Sequence, residues 1–542
     1  MSVIRRAAAF VQRRPRAVEA GGLILLFGLA LGLRLVNVQL VPPFTDETEE
    51  VLRAWSIAQG ERFPLTNVDA YIGALWSYVL AGAFKLFGRG FELPRVVMAV
   101  SGALTVVATY FLTRRLFDRT AAAIAAFLLA TCGAHILVNS HVAWSNCATP
   151  LLTTVAFWLL ARGSLLPGAL VLGLALQTHP SVAALLPGAA GWVLWTYRSR
   201  AGLVRLAVAA LCFLLGYSAV LIYNVQTGFD SVVQALRVSG EYSENARLDG
   251  SGYLSSLAGF VLLLGQVLSG AVYAAPSPWP YVQDPRVGLL LGLGLTGVVW
   301  AGWRGVTAPA WVLGAALVLL PVLNQRWAPI LQARYLMPVV PLVLAATAAW
   351  MLVLVRSVAR RDGWVVPLTA CEAALVIGVV HWQALGAYYE GELEAGRSNE
   401  APILMLRIAD DQRRSREPFV VHADLHQLPT GGGGTWAKAL DYVLQLEGLR
   451  RDVQPRDPSV TIRACDVEAV ELRYVQREGR GQSRADPDEP RFPTYWLARQ
   501  SPTRSRQWQP TGQEMLREPY TLPFRPKSVF DPRVPTFDTG CE

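Results

Sequence analysis

Histidine, cysteine and methionine are scarce in this chain, six of each among 542 residues, and charged side chains make up only 16%. The cysteines form no CxxC pair and no Cys/His spacing of the kind that builds a zinc site, which excludes zinc ribbons and fingers. The low charge, set against 53% hydrophobic residues and a mean hydropathy of +0.33, excludes an ordinary water-soluble protein of this length. Also missing are a signal-peptide cleavage site after the first apolar run and any convincing similarity between the two halves. What is present is a series of apolar runs between Gly21 and Tyr388, followed by a polar stretch rich in Arg, Asp, Glu, Gln and Pro. The sequence therefore predicts a multi-span membrane domain over residues 1–390 and a soluble domain over 391–542.

The net charge of +9 does not point to nucleic acid, because many Lys and Arg residues sit in short loops between apolar segments, where they set orientation. A spanning helix needs about 20 mostly apolar residues. Candidates are Gly21 to Val38, Tyr71 to Phe87, Leu93 to Leu112, Thr120 to Val138, Cys147 to Ala161, Leu165 to Leu176 and Val182 to Tyr197. Further candidates are Leu203 to Tyr223, Tyr253 to Ala275, Val287 to Trp303, Ala308 to Leu323, Tyr335 to Val355 and Trp364 to Tyr388. The Arg-rich N-terminus and the loops at Arg114–Arg119, Arg162, Arg198–Arg205, Arg304 and Arg356–Arg361 all face the cytoplasm only if Tyr71 to Phe87 and Tyr253 to Ala275 do not cross. About eleven spans result, with the N-terminus cytoplasmic and the tail extracytoplasmic. The two non-crossing segments read as helices lying in, or re-entering, the outer interface.

The first outer loop runs Pro42-Pro43-Phe44-Thr45-Asp46-Glu47-Thr48-Glu49-Glu50. Two prolines stop the first span and a helix starts at the polar run, where acids in the first turn suit the helix dipole. Capping accounts for one or two of these acids. Four carboxylates at the mouth of a membrane cavity repel one another unless a cation or a bound substrate compensates. A carboxylate there can serve as a general base for an attacking hydroxyl or amine. If the donor is a sugar on a lipid phosphate, a cation must stabilise the leaving phosphate. Outer-face candidates are Arg95, His135, His141, His179, Arg326 and Arg334, with His179 favoured because it precedes Pro180 between two short apolar stretches, where unpaired backbone groups belong in a polar cavity. Asn146 and Tyr223-Asn224 read as end caps.

Phe44-Thr45-Asp46-Glu47, Glu92-Leu93-Pro94-Arg95 leading to Arg114-Arg115-Leu116-Phe117, Gln177-Thr178-His179-Pro180, Tyr223-Asn224 and Ala333-Arg334-Tyr335-Leu336-Met337-Pro338 together resemble the landmarks of the protein O-mannosyltransferase and aminoarabinose (lipid A) transferase superfamily. The resemblance covers residues 20–390, and its order along the chain is more specific than any one motif. It implies an all-α membrane domain of the C-type glycosyltransferase fold and an inverting transfer of a sugar from a polyprenyl-phosphate carrier to a protein, lipid or envelope glycan outside the cytoplasm. It implies that Asp46 is the essential acid, that Glu47 is its neighbour, and that Arg95 serves the carrier phosphate. His179, Arg334 and Tyr335 are weaker carry-overs. Some members use a divalent cation and others do not. Asp46, Glu47 and Asp69 are the carboxylates that would take magnesium or manganese here.

No family resemblance extends to the tail. Helical spacing covers Ile403 to Gln412 and Trp436 to Leu446, and Pro418 to His422 and Val460 to Arg463 read as strands, which predicts a small α/β domain. Gly431 to Gly434 lacks the Lys-Ser/Thr ending of a phosphate loop. His422 and His426 flanking Asp424 make only a weak metal pair, and Glu478 to Arg491 has the composition of a poorly ordered run. Cys132, Cys147, Cys212 and Cys371 lie in apolar runs as packing residues, which leaves Cys465 and Cys541 as the pair that could form a disulfide outside the cytoplasm. The rival readings are a transporter or flippase with an outer receptor domain and a non-catalytic scaffold, the latter leaving the acids and ordered cations unexplained.

Overall fold

The computed structural model describes residues 15–38, 45–197, 202–244, 250–270, 284–323, 329–359 and 365–394, together with Leu446 and four strands. Among the described residues up to 394 the regular elements are all helices. Its first helices are α1 (Pro15–Leu35), α2 (Thr45–Ala58), α3 (Leu75–Phe87), α4 (Leu93–Leu116), α5 (Arg119–Thr131), α6 (Gly133–Val138), α7 (Ser145–Ala161), α8 (Leu165–Thr178) and, after a 3-10 turn at Pro180–Leu185, α9 (Leu186–Tyr197). There follow α10 (Leu203–Gly216), α11 (Ser218–Thr227), α12 (Asp230–Glu244), α13 (Gly250–Leu268), α14 (Pro285–Trp303), α15 (Ala308–Leu323), α16 (Pro329–Leu336), α17 (Val340–Ala359) and α18 (Val365–Glu394).

Local chemistry sets several boundaries. The Asp118 side chain accepts from the Ala121 amide at the start of α5, and Asp284 accepts from the Arg286 amide beside Pro285 at the start of α14. The expected span Thr120 to Val138 is interrupted at Cys132, whose backbone is extended. The break exposes carbonyls of the last turn of α5, and Arg34 from α1 covers them, its Nη1 donating to Ala130 O at 3.2 Å and Nη2 to Leu129 O at 3.3 Å. The expected span Leu203 to Tyr223 is likewise two helices, α10 and α11, meeting at 68°. Small residues let helices touch. At the crossing of α8 and α10, a Cβ on Gly173 would run into the Phe213 carbonyl, and one on Gly216 into the Leu170 carbonyl.

Buried alanine, leucine and valine from α4, α5, α7 and α17 form one continuous core. The outside is apolar too: Leu25 is 75% exposed, Val204 78% and Trp303 91%. That inversion of the water-soluble pattern is what a lipid surround permits. Among the described residues five helices are long and apolar enough to cross a bilayer, six counting the bent pair, and further apolar helices of 10–17 residues, Leu75–Phe87 included, are shorter. The protein is a membrane protein.

In the tail, β1 (Phe419–Asp424), β2 (Ser459–Arg463), β3 (Val470–Arg477) and β4 (Thr494–Gln500) form a sheet in the order β2-β1-β3-β4. The strand β1 runs antiparallel to β2 and parallel to β3, which pairs antiparallel with β4. Strands β1 and β2 fall where the sequence predicts strands. The expected helix at 403–412, nearly all of that at 436–446, the glycine run 431–434, the run 478–491, His426, Cys465 and Cys541 lie outside the described residues, as does Arg326 in the membrane domain.

Candidate functional site

The acidic helix α2 reaches inward with two of its carboxylates. Glu47 and Glu50 are one helical turn apart and so share a face, and both are buried, at 0% and 5% exposure. Arg95, in the first turn of α4, grips Glu47 through two bonds: Nε to Oε1 and Nη2 to Oε2, each 2.8 Å. Glu47 Oε1 also accepts the Ala143 amide at 3.0 Å, while the Ala143 carbonyl accepts Trp76 Nε1 from α3 at 3.1 Å. Glu50 accepts both the amide and the hydroxyl of Ser145, at 2.8 and 2.9 Å. Asn146, expected as the end cap of α7, is not one. Glu50 from α2 takes the first amide of that helix, and both amide atoms of Asn146 are buried without a hydrogen-bond partner.

Between Ala143 and Ser145 stands Trp144, and on its face lies the Arg334 guanidinium of α16, 4.2 Å from the ring centroid. Arg334 Nη2 donates to the Tyr335 hydroxyl at 2.8 Å, and the Tyr335 ring lies 5.5 Å from that of His179. His179 Nδ1 accepts the Ser181 amide at 3.1 Å, so a neutral ring carries its proton on Nε2. Burial, and then the Arg334 charge, hold the His179 ring well below the usual imidazole range. Thr149 and Thr178 close the gap between α7 and the residue before His179 with a 2.8 Å hydroxyl pair. A guanidinium laid flat on an indole presents its N–H groups in one plane, the geometry by which arginine takes phosphate oxygens.

Of the residues singled out from sequence, Glu47, Arg95, His179, Arg334 and Tyr335 thus join one connected structure through the 143–145 segment. Arg95 is 1% exposed and its guanidinium is engaged by Glu47 and by the Val38 carbonyl at 3.0 Å, an internal tie where the resemblance implied a contact with the carrier. Asp46 occupies the first turn of α2 beside Glu47, and its side chain lies outside the described residues. Asp69 accepts from the Tyr71 hydroxyl at 3.1 Å and, with Glu49 and Glu50, lies within the electrostatic reach of Arg53 on α2. Among the described residues no three His, Cys, Asp or Glu side chains gather as a metal site would require. His135 Nδ1 lies 2.7 Å from Arg34 Nη2 in the last turn of α1, and His141 Nε2 lies 3.0 Å from Val36 O just beyond it. Tyr223 donates to Asp230 at 2.8 Å and Asn224 bonds Ser231, so this pair fastens α11 to α12. Sequence reasoning missed Glu50 as a structural acid, Trp144, and Arg34. A tryptophan next to a helix start carries no signal that an arginine far along the chain will lie on it.

Residues 73–223 match the family model described as dolichyl-phosphate-mannose-protein mannosyltransferase. The matched segment is mannosyltransferase-like. It contains Arg95, His141, Trp144 and His179, begins after Asp46, ends before Arg334, and lies within the stretch that resembles the same superfamily by its motifs. Among solved structures, ArnT from Cupriavidus metallidurans bound to undecaprenyl phosphate is similar at 15% identity, over 79% of this chain and 75% of that one, with a TM-score of 0.46. The archaeal oligosaccharyltransferase AglB from Archaeoglobus fulgidus, in complex with an inhibitory peptide and a dolichol-phosphate, is similar at 14% identity over 73% of this chain, with a TM-score of 0.45. The chain spans 59% of that archaeal enzyme. No curated protein matches the chain by sequence.

Proposed function

We propose that this protein is a membrane glycosyltransferase that moves a sugar from a polyprenyl-phosphate carrier to an acceptor on the outer face of the membrane, with inversion. The observation that carries the reading is the mannosyltransferase-like segment 73–223, whose His179 and Trp144 meet Arg334 and Tyr335 from α16 beside the acidic helix. Asp46 takes the proton of the acceptor hydroxyl or amine, and the acceptor atom attacks the anomeric carbon. The bond from that carbon to the phosphate oxygen breaks, and its electrons leave with the phosphate, which Arg334 stabilises. Tyr335 and His179 orient that guanidinium and the carrier. Glu47 and Arg95 hold the acidic helix in place. A divalent cation, where one is used, needs Asp46 and donors beyond Glu47, which Arg95 already engages.

The wider arrangement belongs to the same reading: a membrane domain over 1–390 with about eleven crossings, in which shorter apolar helices supplement the long ones, a cytoplasmic N-terminus, and an extracytoplasmic domain over 391–542. The 68° bend between α10 and α11 is the observation that a transporter would also display. Asp46→Asn separates the two. Loss of transferred sugar, with normal membrane levels, supports the enzyme, whereas intact function refutes it. Mass spectrometry of envelope glycans and polyprenyl-phosphate sugars with and without the protein then identifies the donor as the carrier-linked sugar that accumulates.

A further inference from the structure

The chain leaves α1 through Val36 and Val38, and three side chains from distant elements bind the two carbonyls there. His141 Nε2 lies 3.0 Å from Val36 O, Tyr389 OH donates to the same oxygen at 3.3 Å, and Arg95 Nη1 donates to Val38 O at 3.0 Å. His141 and Tyr389 also contact each other, with Nε2 3.0 Å from the hydroxyl and the rings stacked at 5.8 Å. Since Val36 O only accepts, a neutral His141 carries its proton on Nε2, and Nδ1 lies 2.8 Å from Ser140 Oγ, whose hydroxyl also meets the Ile136 carbonyl. His141 is fully buried, and Tyr389 stands near the end of α18, the last helix before the polar tail.

Eight residues of sequence separate Val38 from Glu47, and Arg95 binds both ends of that interval. Val38 before position 46 and Glu47 after it are therefore held by one guanidinium. We propose that Tyr389 and His141 are positioning residues for the acidic loop, fixing the exit of α1 so that the residue at 46 is presented in one place. This rests on the glycosyltransferase reading, in which Asp46 is the base. A displacement of about 1 Å at such a group lowers rate on the order of a hundredfold while leaving ground-state binding intact.

The test compares Tyr389→Phe, His141→Leu and His141→Gln in the full-length protein in nanodiscs. Gln keeps an N–H near the Nε2 position, and Leu keeps volume without it. Backbone hydrogen exchange over 36–50 is measured beside binding of undecaprenyl phosphate and sugar transfer from undecaprenyl-phosphate mannose. Tyr389→Phe and His141→Leu should raise exchange across 36–50 by about tenfold and cut transfer by about ten- to a hundredfold. Carrier affinity and global melting should be unchanged, and His141→Gln should stay near wild type. Wild-type exchange in Tyr389→Phe, which removes one hydroxyl and so folds, overturns the clamp whichever donor is used. If Asp46→Asn transfers normally, the enzyme reading falls instead, and exchange still decides the clamp.

Discussion

Removing the carboxylate of Glu47 should destabilise the protein more than removing both members of its ion pair. The pair is buried to 0% and 1%, with two bonds of 2.8 Å, and Glu47 also holds the Ala143 amide at 3.0 Å. Glu47→Ala leaves a guanidinium inside the protein without its carboxylate, a loss of about 3–5 kcal/mol. Glu47→Gln keeps the shape but turns an N–H₂ toward the N–H groups of Arg95, so its cost approaches the same range. Glu47→Leu with Arg95→Met removes both charges together. What then remains unmet is the Ala143 amide, which Glu47→Ala leaves unmet too, and the Val38 carbonyl, at about 1–3 kcal/mol each. The ordering predicted is wild type, then the double variant, then either single variant. Unfolding of the purified proteins in one detergent, followed by tryptophan fluorescence, reads it directly. A Glu47→Ala protein as stable as wild type, or a double variant weaker than both singles, refutes the argument that this buried pair holds the acidic helix.

Three other outcomes follow from the geometry. Trp144→Leu removes the face on which Arg334 lies, worth about 0.5–2 kcal/mol, so under the proposal that Arg334 meets the carrier phosphate, undecaprenyl phosphate should bind on the order of two- to thirtyfold more weakly, while Trp144→Phe retains most of the affinity. Gly216→Val forces a side chain against the Leu170 carbonyl where α8 and α10 cross, and should cost about 1–3 kcal/mol or more, seen as loss of folded protein in membranes. Burial, and then the Arg95 charge, lower His141 from 6.5 to about 3. The folded protein therefore binds fewer protons than the unfolded chain between those values, and stability is complete above pH 6.5 and falls as pH drops toward 3. At pH 5 the loss from His141 is about 2 kcal/mol, and a His141→Gln protein should show a flatter profile of melting temperature against pH.

The helices were legible where a simple period or a terminator set them. Thr45 starts α2, and Arg304 stands between α14 and α15 as the apolar pattern requires, whereas α1 ends at Leu35, short of the Pro42-Pro43 stop expected from the sequence. The breaks were not legible. Nothing in the apolar run from Thr120 to Val138 announces an interruption at Cys132, because its cause is an arginine on another helix that satisfies the freed carbonyls. At Tyr217, where α10 turns into α11, the Gly216 carbonyl is met by Gln177 from α8, again a partner that no local pattern names. In the site, residue types were readable and partners were not. Arg95 was expected to serve a phosphate because a cation after the acidic loop suits one, yet a carboxylate in the same chain engages it. Pairing across 48 positions is decided by packing, which no local pattern encodes.

The four acids at the start of α2 illustrate how a structural and a chemical explanation can both hold. Successive residues on a helix are rotated by about 100°, so positions 47 and 50 share one face and position 46, about 40° from 50, stands on the flank of that face toward 49. The first face is spent on Arg95, Ala143 and Ser145. Four carboxylates do not then repel one another in one cavity, because two are neutralised by an arginine and by backbone donors. Fixing those two also fixes the rotation of the helix about its axis, and with it where positions 46 and 49 are presented. A helix free to turn would scatter a base at position 46 over several ångströms. One pinned by Glu47, Glu50 and the clamp at Val36 and Val38 delivers it reproducibly, which is what a general base acting on a bound acceptor demands.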